Sequence, residues 1–113
     1  MDSDSLISEI HSVFDRLEAI TAKWSKSKAD FSYSEAMKPV ILAMEKAKSE
    51  QKTSAGREEE AYRSKEYTGY LWKHFSIECE YNSLCGQKGL LERKLDSLRS
   101  ELSYEKEQVK RTV

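Results

Sequence analysis

The sequence predicts an all-α fold: an elongated helical assembly with an N-terminal head of short helices packed on a long third helix, ending in a two-stranded coiled coil. Three observations predict it. Ile77, Leu84, Leu91 and Leu98 recur every seven residues, with Leu95 and Leu102 filling the alternate positions, so the last third of the chain carries a seam built to meet another helix. Leu6, Ile10, Val13, Leu17, Ile20, Trp24 and Phe31 keep a 4-3 rhythm through the first third. One Pro and four Gly in 113 residues leave long stretches free of helix breakers, while 35% charged residues against 38% hydrophobic leave too little apolar surface for an ordinary compact core. Such helices find their core in a partner.

The first helix is expected over about 5–28, with Asp4 and Ser5 as N-cap candidates. Ile7 and Phe14 flank its seam, which makes the apolar face broader than a two-stranded coil needs and suits a three- or four-helix bundle. The serine-rich residues 25–34 then interrupt the pattern. Ser32-Tyr33-Ser34-Glu35 has the form of a capping box and Pro39 suits a first turn, so a second helix is expected over about 38–52, with Met37, Val40, Ile41 and Met44 on its apolar side. Together these make an N-terminal region, 1–56. Gly56 before Arg57-Glu58-Glu59-Glu60 marks a break and a new acidic helix start.

From there a single long helix is expected through 57–113, with an aromatic segment at 62–81 and a coiled-coil tail at 84–109. Gly86 and Gly89 threaten it as a hairpin turn, but Leu84 and Leu91 on either side hold one heptad phase, which a reversal of the chain has no reason to preserve. With Ile77 at d, His74, Tyr81, Lys88, Leu95 and Leu102 fall at a positions. Tyr67, Tyr70 and Tyr81 lie on the seam where a slim dimer prefers aliphatic side chains, so the two N-terminal helices are expected to fold over them. Trp72 and Phe75 lie off the seam; core packing is their first reading, and an exposed anchor for another protein the alternative.

Function classes narrow by exclusion. Residues 1–56 carry eight Lys and Arg against nine acids and 57–113 eleven against eleven, so neither half concentrates positive charge for nucleic acid. The lysines of Lys23-Trp24-Ser25-Lys26-Ser27-Lys28 read as cations near a helix end. Cys79 and Cys85 sit too far round a helix from each other to bridge, and with His11 and His74 give no tetrahedral metal grouping, so reduced thiols and a cytoplasmic or nuclear location are expected, with no metal and no cofactor. No apolar run reaches the roughly 20 residues of a membrane span. No phosphate loop, nucleophile-base pair or converging carboxylates appear, so no catalytic residue is assigned.

The expectation is a non-enzymatic protein–protein interaction and oligomerisation module, a scaffold or adaptor of a cytoskeletal, chromosome-segregation or trafficking assembly. Its partners are a second copy, in a parallel homodimer, and other proteins. The dimer contact is assigned to Ile77, Tyr81, Leu84, Leu91, Leu95, Leu98 and Leu102. Head packing or partner contact is assigned to Leu6, Ile10, Val13, Leu17, Ile20, Trp24, Tyr70, Trp72 and Phe75. The alternatives are a nucleic-acid-associated subunit using Lys23, Trp24, Lys26 and Lys28, and a membrane-surface protein inserting Ile7, Phe14 and Trp24. The helical phase still running at Arg111-Thr112-Val113 suggests a fragment of something longer.

Overall fold

The computed structural model describes residues 2–112; Met1, at the head of the acidic start, and Val113, the last residue of the region 57–113 expected as a long helix, lie outside the described residues. Among the described residues the fold is all-α, with three helices: α1 (Ser3–Lys48), α2 (Ser54–Arg63) and α3 (Lys65–Thr112).

α1 starts two residues before the expected position 5, because Asp2 takes the capping role: its carboxylate accepts the Ser5 backbone N–H at 2.8 Å and its carbonyl accepts from Leu6 N–H. It then runs unbroken to Lys48, where two helices over 5–28 and 38–52 were expected. The physical reason lies in the serines. Ser27 and Ser34 are buried, and they hold the same 4-3 phase as Trp24, Phe31 and Ile41, so the packing stripe continues through them as small polar positions and does not stop. Pro39 lies inside the helix on its exposed side, at the cost of one backbone hydrogen bond. Lys23, Lys26 and Lys28, read as cations at a helix end, therefore stand in mid-helix.

The chain turns at 49–53. Gly56, expected as the break, lies in the first turn of α2, and its N–H donates to the Thr53 Oγ1 cap at 3.0 Å. A Cβ there would stand 2.9 Å from that oxygen and 3.2 Å from Gln51 Cβ, so the tight cap itself calls for glycine. The break in the long C-terminal helix falls at Ser64. Its extended backbone ends α2, its hydroxyl donates to the Ala61 carbonyl at 2.9 Å, and the same oxygen accepts the Tyr67 N–H at 3.1 Å to start α3. α3 then passes straight through Gly86 and Gly89.

The helices form two compact units, whose boundaries cut across the expected division at 56/57. One comprises residues 1–25 with 83–113, and the other Lys26–Asn82. In the first, the start of α1 packs antiparallel on the end of α3: Glu9 pairs with Lys94 at 3.2 Å, and further along α1 the Trp24 Nε1–H donates to Cys85 Sγ at 3.3 Å. Leu6, Val13, Leu91, Leu95 and Leu98 form the core, with Ile10, Leu17, Ile20 and Leu102 partly buried against it. The tail segment 84–109, expected to coil with a second chain, thus has its facing helix supplied by its own chain. In the second unit, α1 from Lys26 onward packs antiparallel on α3 up to Asn82, with α2 beside them and Ala61, Tyr67 and His74 buried.

Candidate interaction surfaces

The expected contact residues sort into buried and uncovered groups. Leu91, Leu95 and Leu98 are buried and Leu102 partly so in the core shared with α1, and Leu84 is buried in the same unit. Leu6, Ile10, Val13, Leu17 and Ile20 supply the other side of that core. Trp24 is half-buried, and the Lys88 ammonium lies 4.8 Å above its ring while also pairing with Glu92. The a-position lysine is thereby accommodated at the edge of the seam.

Ile77, Tyr81 and Tyr70 belong to the second unit, where rings from both helices stack. Tyr81 lies on Phe31 with centroids 5.2 Å apart, Phe31 on His74 at 5.6 Å, His74 on Tyr70 at 5.7 Å, and Tyr70 is followed by Tyr67 at 6.2 Å. The two N-terminal helices expected over 5–28 and 38–52 were to cover the aromatic segment; here Phe31, Ser34 and Glu35, in the stretch expected to lie between them, make the contacts. Offset and stacked rings at these separations contribute about 0.5–1.5 kcal/mol each beyond their buried area.

A polar chain crosses the stack. The Ser34 hydroxyl and His74 Nδ1 are 2.7 Å apart, His74 Nε2 meets the Glu35 carboxylate at 2.6 Å, and the Tyr70 hydroxyl donates to the Ser34 carbonyl. The order serine, imidazole, carboxylate is that of a nucleophile with its base, but the setting differs. Ser34 is buried in mid-helix, where the neighbouring N–H groups are spent on helix hydrogen bonds, so no donors are aimed at a developing oxyanion. The group satisfies both ring nitrogens of a buried His and fixes the register of α1 on α3. Ser34 and Glu35 were read as part of a capping box, but they stand in mid-helix and face His74 instead; the signal that finds this role is the unbroken 4-3 phase through Ser27 and Ser34.

Trp72 and Phe75 do not pack in a core. Trp72 is 70% exposed and Phe75 58%, the two rings meeting edge to face with Thr68 and Leu71 beside them on the outer side of α3. A second uncovered apolar surface lies on the other side of the same unit. There Tyr33, Met37 and Ile41 of α1 and Tyr70, Lys73 and Ile77 of α3 line an open groove of about 360 Å³. In the first unit, Ile7, Phe14 and Leu90 are exposed. Among the described residues no cluster of three potential metal ligands occurs, Cys79 and Cys85 are free thiols, and no helix is long and apolar enough to cross a membrane.

Comparison of the chain with protein-family models, with curated proteins and with solved structures finds no match.

Proposed function

We propose that the chain is a non-enzymatic protein–protein interaction and oligomerisation module, a scaffold or adaptor subunit of a larger helical assembly in the cytoplasm or nucleus. The observation that carries this reading is the set of large apolar side chains left exposed on the surfaces of the two folded units. Tyr33, Met44, Trp72, Phe75 and Leu90 are each more than half exposed although every helix already has a packing partner. A pair of helices that buries one stripe and shows further aromatic, Met and Leu side chains on other faces is built as a layer of a bigger bundle, because exposed apolar clusters of this kind mark contact sites. The leucines first assigned to the contact between copies are engaged within the chain, so the uncovered faces take over the role of partner surface.

Oxidative footprinting tests the reading. Trp72, Phe75 and Met44 are expected to oxidise readily in the dilute purified chain and to be protected in the chain's cellular assembly. Equal oxidation in both states removes the proposal.

A further inference from the structure

Beside the stripe that α1 packs on α3 in the second unit, a second stripe runs one position away: Tyr33, Met37, Val40 and Met44, again at 4-3-4 spacing. Tyr33 and Met37 line the open groove with Ile41, Tyr70 and Ile77, and Val40 and Met44 continue the stripe in exposed positions. Two charges of opposite sign edge the groove, Asp30 on α1 and Lys73 on α3. Among the described residues neither has an ion-pair partner.

We infer that a second copy of this chain covers the groove, face to face about a two-fold axis parallel to the helices, so that α1 of each copy lies over α3 of the other in a four-helix arrangement. This rests on the reading of the chain as an oligomerisation module and names its partner. Two arguments select the occupant. The first is charge. His74 pairs with Ser34 and Glu35, which places Lys73 level with the Tyr33–Met37 turn of α1. The two-fold therefore sets Lys73 of one copy against Tyr33 and Asp30 of the other, and repeats the contact with the copies exchanged, a cation over an aromatic face and within reach of a carboxylate. A twin is attracted by this edge where a uniformly charged one would repel it.

The second argument is area. Residues 26–48 span about 34 Å at 1.5 Å per residue, and two helices side by side are about 20 Å wide, so the face offers about 700 Å² per copy. The pair buries about 1,400 Å² in total, inside the range of stable specific interfaces. Met37 and Met44 add side chains that adapt to an imperfect fit.

Sedimentation of the full chain at tens of micromolar tests it. The wild type is expected to run as a dimer, and the double variant Tyr33→Lys with Met44→Lys as a monomer of unchanged helical circular dichroism. Tyr33 is 69% and Met44 54% exposed, so neither replacement disturbs packing inside the protomer. Trp72→Glu, on the other side of the unit, is expected to stay dimeric. A monomeric wild type overturns the inference, as does a dimer that survives the double variant. If the dimer is lost in Trp72→Glu and kept in the double variant, the face assigned is wrong and the association reading stands. A monomeric wild type whose Trp72, Phe75 and Met44 also oxidise equally in the cellular assembly removes both.

Discussion

At the scale of the residue, the core of the first unit is made almost wholly of Leu, Ile and Val side chains drawn from two facing stripes. Leu95 shows what this implies energetically. It is buried in the core with Leu6, Val13, Leu91 and Leu98, and so small a core has little capacity to collapse around a void. Leu95→Ala is expected to lower unfolding free energy by about 2–4 kcal/mol, read as a fall in melting temperature, whereas Leu90→Ala, at an exposed position of the same helix, shifts it by less than about 0.5 kcal/mol. Polar core positions were legible by phase but not by residue type. Ser27, Ser34 and Glu45 look like surface residues by composition, yet they hold the 4-3 phase of Trp24, Phe31 and Ile41, and the facing helix shows why polar groups are tolerated there. Glu45 carries a pH consequence. The hydrogen bond from Lys48 at 2.8 Å holds its carboxyl below the ordinary value of 4.5, burial works against this, and Ser64 and the Lys48 charge reinforce it. Because the folded state binds the proton more weakly than the unfolded chain, the contribution is complete above the ordinary value and drains away as pH falls through the lowered one. Lys48 is raised above 10.5 by the same pair, so its share is lost only as pH climbs through that raised value. Acid titration followed by circular dichroism should therefore show Glu45→Gln converging on the wild type at low pH and falling below it near neutrality. Parallel curves across that range would contradict this account.

At the scale of the element, phase proved a better guide than residue type. The continuity of α3 across Gly86 and Gly89 followed from Leu84 and Leu91 sharing a phase, while the same test applied to Trp24, Ser27, Phe31 and Ser34 would have kept α1 whole. Serine composition and Pro39 argued for a break, and packing along both flanks of the proline outweighs them. That competition is measurable. Pro39 removes one helix hydrogen bond and crowds the preceding turn, yet its ring is exposed and packs on nothing that its removal would uncover. Pro39→Ala is expected to stabilise the fold by about 1–3 kcal/mol, with slowed amide exchange in the turn that contains Glu35. The glycines of α3 behave similarly. A Cβ at Gly86 or at Gly89 meets nothing within 4 Å, so Gly86→Ala and Gly89→Ala are each expected to add about 0.5–1 kcal/mol in chemical denaturation. A loss of stability in either variant would mean that a partner backbone approaches that glycine in solution.

At the scale of the whole molecule, the two ends of the chain meet in one unit while the middle forms the other, an arrangement that reading along the sequence does not disclose. A heptad seam specifies that a helix will be met. It does not say whether the facing helix comes from the same chain or another, because the apolar pattern is the same for both. The first and last stripes were each visible, but that they complement each other depends on the turn at 49–53 and on the Ser64 bend, two local features with weak signals. This dependence yields a prediction. Removing residues 1–25 strips α3 of the side chains that cover Leu91, Leu95 and Leu98 while leaving Lys26–Asn82 entire. The exposed seam then has the a and d pattern of a coiled coil, and burying each leucine is worth about 1.5–3 kcal/mol. The shortened chain is therefore expected to associate through α3 more tightly than the full chain does, with a mass in light scattering that depends on concentration. Leu91→Glu with Leu98→Glu should abolish that added association in the shortened chain. In the full chain the same pair buries two unpaired carboxylates against α1, and should instead unfold the first unit at a cost above about 3 kcal/mol. A shortened chain that stays no more associated than the full one would show that α1 is not what keeps the leucine seam from other chains.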